Sequence, residues 1–283
     1  MKPLFSGLFL SLFFCLNSNA QTSQAFNSGE IISKGSALHN EGKYKEAIRL
    51  YKQVPRNDSN YVLALYETAL SQMMDSNYYE ALQLCEKGLS QDDNEYELQF
   101  FQVKGSIIDE QGFGDRAIRV YDSALAIYPN SETIRLNKAI TLLRTEKLDE
   151  AELQLQSLLV QNPYYGSAHF KLAQCALLKG KPIQAAMSLF AYLLNNPEGN
   201  YNTTVVQLLS AISNGTEDVT QYVNNRNAAM PASYAVVEQI VFSKIALDKN
   251  YKVLTSFDDP IIRQLQVMFE KLEYEENEDD FWM

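Results

Sequence analysis

The sequence predicts an all-α solenoid, about five helical hairpins in tandem followed by C-terminal capping helices, and three observations carry that expectation. Ala47, Ala81, Ala117, Ala151 and Ala185 recur at separations of 34, 36, 34 and 34 residues inside apolar helical patterns. Twelve residues before each stands another small residue: Gly35, Ala69, Gly105, Ala139 and Ala173. Four residues after each comes a larger, mostly apolar one: Tyr51, Cys85, Tyr121, Leu155 and Leu189. A fixed period of this length is the signature of stacked supersecondary units, each unable to bury its apolar face alone.

The spacing follows from packing. Two helices of a hairpin approach closely only where side chains are small, so Gly or Ala is needed at the crossing. Tyr51 and its equivalents lie one turn further along the same face and fill the space beside it. Gly42, Gly112 and Gly180 fall between the helices, where a residue of positive φ ends the first helix cheaply. Pro129, Pro163 and Pro197 close the last three units, because proline cannot continue a helix. Five units result: 28–61, 62–95, 98–131, 132–165 and 166–199, with Tyr96 and Glu97 between the second and third. Asp93 and Ser59 stand where Pro is expected in units 2 and 1, and Ser76 and Glu146 stand where the turn glycine is expected in units 2 and 4.

This pattern resembles the tetratricopeptide repeat, whose units carry small residues at positions 8 and 20, a large apolar residue at 24 and Pro at 32. The resemblance covers residues 28–199 and implies a right-handed superhelix. Residues 200–283 lose the register but stay helical in pattern. Val205, Val206, Leu208, Leu209 and Ile212 form a stripe that stops at Asn214-Gly215, and Thr216-Glu217-Asp218 reads as the cap of a short helix. Pro231 opens a helix expected to run to about Leu247, and Asp258-Asp259-Pro260 opens another through Leu272. These helices are expected to cover the apolar end of the fifth unit.

Composition excludes whole classes of function. Of 283 residues, 46% are apolar, 21% charged and 11% aromatic, which suits a folded chain rather than a disordered one. A net charge of −11 argues against a nucleic-acid backbone or an anionic lipid surface as partner. Residues 1–20 read as a signal peptide: Lys2, an apolar run from Leu4 to Leu16 too short to span a membrane, and Ser18-Asn19-Ala20 ahead of a cleavage before Gln21. Phe13 and Phe14 precede Cys15, which argues against a lipid anchor there. Export to a bacterial periplasm or cell envelope is the expectation. Cys85 and Cys175 then remain, three stacked units apart, and read as buried small hydrophobes rather than a bridge.

Reactive chemistry is sparse. His39 and His169 have no His or Glu companion at ligand spacing, so no metal site and no catalytic residue is assigned. No nucleophile elbow, no phosphate-cradling Gly-rich loop and no Cys-x-x-Cys occurs, and Gly112-Phe113-Gly114 is explained by a turn. The seven carboxylates between Glu270 and Asp280 lack a calcium-loop pattern and read as a solvated acidic tail. That tail ends in Phe281-Trp282-Met283, three large apolar residues expected either to dock on a neighbouring helix or to mark a chain that continues beyond Met283.

The resemblance places function in a concave groove lined by positions 2, 5, 9 and 12 of each unit. Unit 2 contributes Leu63, Tyr66, Leu70 and Met73; unit 3 Gln99, Gln102, Ser106 and Asp109; unit 4 Thr133, Leu136, Ile140 and Leu143; unit 5 Ser167, Phe170, Gln174 and Leu177. Unit 1 is smaller and more polar, with Gly29, Ile32, Ser36 and His39. Members of the family that clamp a terminal carboxylate use Lys, Arg and Asn at such positions; there is no Lys or Arg at these. The partner expected is therefore an apolar or amphipathic protein or peptide segment, bound with little dependence on salt and anchored by Tyr66 and Phe170. The reading is a non-enzymatic exported scaffold with no cofactor and no membrane span. The alternatives are an assembly module of a longer, enzymatic or anchored chain, and a protein that self-associates into homo-oligomers through its caps.

Overall fold

The computed structural model describes residues 27–92, 95–226, 231–254 and 256–271, and every regular element among them is helical. The signal-peptide reading of residues 1–20, the cleavage before Gln21 and the tail from 272 onward, with Phe281-Trp282-Met283, lie outside the described residues.

Five antiparallel pairs come first: α1 (Ser28–Asn40) with α2 (Tyr44–Tyr51), α3 (Tyr61–Met74) with α4 (Tyr78–Leu89), α5 (Glu97–Glu110) with α6 (Gly114–Ile127), α7 (Glu132–Arg144) with α8 (Leu148–Gln161), and α9 (Gly166–Leu178) with α10 (Pro182–Asn195). Each second helix packs on the first helix of the next pair, and successive first helices also touch one another, forming the inner layer of the solenoid. Local signals set the ends. Asn27 accepts from the Glu30 amide at 3.1 Å to cap α1, Ser131 accepts from the Ile134 amide at 3.3 Å to cap α7, and Pro182 stands in the first turn of α10.

The turns within pairs keep one conformation whatever residue occupies them. Gly42, Gly112 and Gly180 have φ of 77°, 83° and 67°, while Ser76 and Glu146, where glycine was missing, adopt 60° and 59°. A side chain there costs about 1–2 kcal/mol. The turn recovers part of that by satisfying the last carbonyls of the first helix, with Asn77 donating to Gln72 O at 2.8 Å and Lys147 to Leu142 O at 2.9 Å.

Residue sizes at the crossings are matched pair by pair. Where the second helix presents tyrosine, the first presents glycine: a Cβ on Gly35 would lie 2.3 Å from the Tyr51 ring, and one on Gly105 2.3 Å from the Tyr121 ring. Where it presents Cys85, Leu155 or Leu189, alanine suffices at Ala69, Ala139 and Ala173, all fully buried. Passing through the glycine gap, the tyrosines bring their hydroxyls to polar groups of the inner layer, Tyr51 to Glu67 and Tyr121 to Ser106, each at 3.5 Å. Burial pushes the Tyr121 phenol up to about 12 and the Cys85 thiol likewise. Cys85 and Cys175 are free thiols, both buried.

The C-terminal helices depart from the register. α11 (Asn202–Asn214) adds Val205, Leu209 and Ile212 to the core of the fifth pair and stops at Gly215 in the left-handed region, as the sequence expects. Val206 leaves the expected stripe and is 49% exposed. α12 (Glu217–Asn224) follows, but the Thr216 hydroxyl makes no capping bond. Instead of forming an ordinary sixth pair, α12 leans toward α9, where Arg226 just beyond it donates to Gly180 O at 3.1 Å and pairs with Glu238 at 2.8 Å. α13 (Ala232–Phe242) ends short of the expected Leu247 because Ser243 bonds back to Ile240 O and Lys244 turns left-handed, leaving a 3-10 turn at Ile245–Leu247. α14 (Pro260–Lys271) starts at its proline, with Asp259 accepting from the Ile261 amide at 2.8 Å, and it packs on α11 and α13. The buried Gln264 amide fastens it by donating to Ser213 O at 2.8 Å and Val241 O at 3.0 Å. An apolar cavity of about 260 Å³ remains between α10, α11, α13 and α14. Among the described residues no helix is long and apolar enough to cross a membrane.

Candidate functional site: the concave groove

Position 9 of the inner layer alternates in polarity over the first four units in step with the glycine gaps, whereas unit 5 carries Gln174 there opposite Leu189. Units 1 and 3, whose tyrosine hydroxyls emerge on the inner layer, carry Ser36 and Ser106 at position 9; units 2 and 4, with shorter partners at the crossing, carry Leu70 and Ile140. At the unit 1–2 end, His39 Nδ1 lies 2.7 Å from Ser71 Oγ and its ring meets Tyr44 edge-on, which makes His39 a half-buried link between α1 and α3. Burial lowers the His39 pKa and raises that of Glu67. His169 is held by the Pro163 carbonyl oxygen at 2.7 Å.

Four of the expected groove residues meet in one hollow of about 530 Å³: Ile140 and Leu143 from α7, Gln174 and Leu177 from α9. Its far wall is built by Thr204 and Leu208 of α11 and by Tyr222 of α12, so the departure of α12 from the regular register closes the groove at this end. The other expected residues lie elsewhere. Leu63, Leu70, Met73 and Leu136 pack half-buried against the core, and Gln102 and Ser106 are half-buried on α5.

The two aromatic anchors expected from the sequence are placed differently. Phe170 is only 3% exposed; it stacks on Tyr201 at 4.5 Å and packs against Tyr192, so it belongs to the core rather than the groove surface. Tyr66 stays half-buried, but it stacks on Tyr96 and meets Phe100 edge-on, both at 6.0 Å, which ties it to the packing between units 2 and 3.

The groove also contains cations that positions 2, 5, 9 and 12 omit. Arg144 and Lys171 line the hollow. Arg144 pairs with Asp109 of α5, whose carboxyl is nonetheless held above the ordinary range by burial. Lys171 lies three residues before Gln174 on the same helical face, and that spacing is the signal in the sequence that could have found it. Leu208 and Tyr222 had no such signal, because they lie past the last repeat. The four positions compared hold no Lys or Arg, but the hollow they help to form is also lined by both.

A tetratricopeptide-repeat family model matches residues 33–95, and a second matches residues 110–163. Similar solved structures include a thermophilic TPR protein of Thermus thermophilus, 18% identical, with a TM-score of 0.54 over 65% of this chain and 99% of that one. Residues 41 to the end of MamA from Desulfovibrio magneticus RS-1 are similar as well, 17% identical, with a TM-score of 0.50 over 61% of this chain and 97% of that one. At such identities the likeness is one of fold. The periodic small residues, the hairpin stack and both matched segments agree: the chain has an all-α solenoid fold that carries tetratricopeptide repeats over the two matched segments.

Proposed function

We propose that the protein is a non-enzymatic scaffold, exported to the bacterial envelope, that holds a segment of a protein partner in its concave groove. The observation that carries this reading is the hollow between α7, α9, α11 and α12: aliphatic side chains on its floor, a glutamine and an aromatic at its edges, and room for several side chains of an incoming segment. Tyr222, 40% exposed at the rim, is the aromatic free to make contact. Tyr222→Ala is expected to weaken partner binding by about 1–2 kcal/mol while leaving the helical content unchanged. A pull-down from an envelope fraction with the full chain as bait supplies the partner, and its titration against wild type and variant, with circular dichroism as folding control, checks this; undiminished affinity would remove the hollow from the binding site.

Export rests on the residues ahead of the array: one positive charge, a short apolar run and small residues before Gln21. N-terminal sequencing of the protein from an envelope fraction is expected to begin at Gln21. Soluble cytoplasmic chain that still starts at Met1 would overturn this part of the reading.

A further inference from the structure

Residues 132–199 contain five lysines. Four have carboxylate partners: Lys138 with Asp122, Lys147 with Asp115, Lys179 with Asp149 and Glu152, and Lys181 with Glu152. Lys171 is the exception. Its ammonium donates to Gln174 Oε1 at 3.0 Å and lies 5.5 Å from the centre of the Phe170 ring, and no carboxylate among the described residues is within ion-pair distance. Both contacts leave the charge uncompensated.

A half-buried ammonium without a counter-ion is costly, because it gives up hydration and gains only a neutral acceptor and a ring face. Burial accordingly lowers the pKa of Lys171, with no neighbouring charge acting against it. A methionine at the same place would keep the aliphatic contacts without that cost. The ammonium also sits on the wall of the hollow, beside the aliphatic floor of Ile140, Leu143 and Leu177, and not in the closed core. Arg144 across the floor is already neutralised by Asp109, which leaves Lys171 as the uncompensated cation of this site.

We propose that Lys171 selects the partner segment by charge: the segment in the hollow carries a Glu or Asp side chain that pairs with the Lys171 ammonium, flanked by aliphatic residues that cover Ile140, Leu143 and Leu208. This selection rests on the groove reading above and specifies its ligand. With a net charge of −11 the protein does not attract acidic partners at long range, so the preference is local, enforced where water is excluded. A partner lacking the carboxylate leaves the ammonium buried without compensation and binds more weakly, so one side chain discriminates between segments of equal apolarity.

The test uses random twelve-residue peptides displayed on phage, fused at their C-terminal ends so that only side-chain carboxylates are available, and selected on the full chain and on its Lys171→Met variant. Wild type is expected to enrich sequences with an acidic residue among aliphatic ones; the variant is expected to keep the aliphatic preference and lose the acidic one. A synthetic peptide from the wild-type selection is expected to bind about ten-fold or more weakly after Glu→Gln, and that difference is expected to vanish against Lys171→Met. The thermal midpoint of Lys171→Met without peptide is expected to equal or exceed that of wild type, which guards against misfolding as the cause. Equal acidic enrichment on both proteins, or aliphatic enrichment without acidic residues on wild type, would overturn the charge selection and leave the groove reading in place. Absence of any enrichment that Leu143→Arg abolishes would overturn the groove reading, and this inference with it.

Discussion

Replacing Phe100 with Ala is expected to lower stability by about 3–5 kcal/mol, the usual cost of emptying a fully buried aromatic site. Phe100 lies in the first turn of the third pair yet is completely buried against the second, where a Cβ on Gly88 would lie 2.2 Å from its ring. The two residues form the seam between units 2 and 3, the place where the repeat spacing stretches to 36 residues. Gly88→Ala alone overpacks that seam and is expected to cost about 1–3 kcal/mol. In the double variant the added methyl enters the space the ring vacates, so the combined loss should fall short of the sum by about 0.5–3 kcal/mol. Chemical denaturation of the four proteins checks this, and strict additivity would show that Gly88 and Phe100 do not share one packing site.

Ala139→Leu and Ala151→Leu are each expected to cost about 1–3 kcal/mol or more, because both residues are fully buried in one core cluster at the crossing of α7 and α8. Thr133→Leu, on the exposed side of α7, is expected to change stability by no more than about 0.5 kcal/mol. Unchanged thermal midpoints for both alanine variants would mean that the helices do not cross where the repeat register places them.

The repeat register was legible because it records steric necessity. A crossing that admits Tyr121 requires Gly105, and a shorter Leu155 tolerates Ala139, so size patterns in the chain report backbone proximity directly. The turns at Ser76 and Glu146 were harder to read, since left-handed backbone is only favoured by glycine and a stack on both sides can impose it on other residues. Beyond Pro197 no period constrains the chain, and amphipathic stripes give helices without giving their partners. The lean of α12 toward α9, the early stop of α13 at Phe242 and the wall formed by Leu208 and Tyr222 depend on tertiary contacts that pattern alone does not encode.

The groove was legible in part for the same reason. Positions 5 and 9 point inward in a regular unit, which brought Ile140 and Gln174 to the hollow, but Phe170 at an equivalent position is drawn into the core by Tyr201, a residue outside the repeats. Lys171, one residue past Phe170 and three before Gln174, lines the hollow from outside the four positions compared, so only its shared face with Gln174 marked it in the sequence.

A partner held in the concave hollow, and not on the outer helices, must come within reach of Leu143 and leave Leu153 untouched. A photo-crosslinking amino acid placed at Leu143 on α7, and separately at Leu153, which is 63% exposed on α8, tests this directly in cells that produce the protein. Binding in the hollow predicts a specific crosslinked product from position 143 that weakens when Tyr222→Ala is added, and none from position 153. A product from position 153 alone, indifferent to Tyr222, would contradict it.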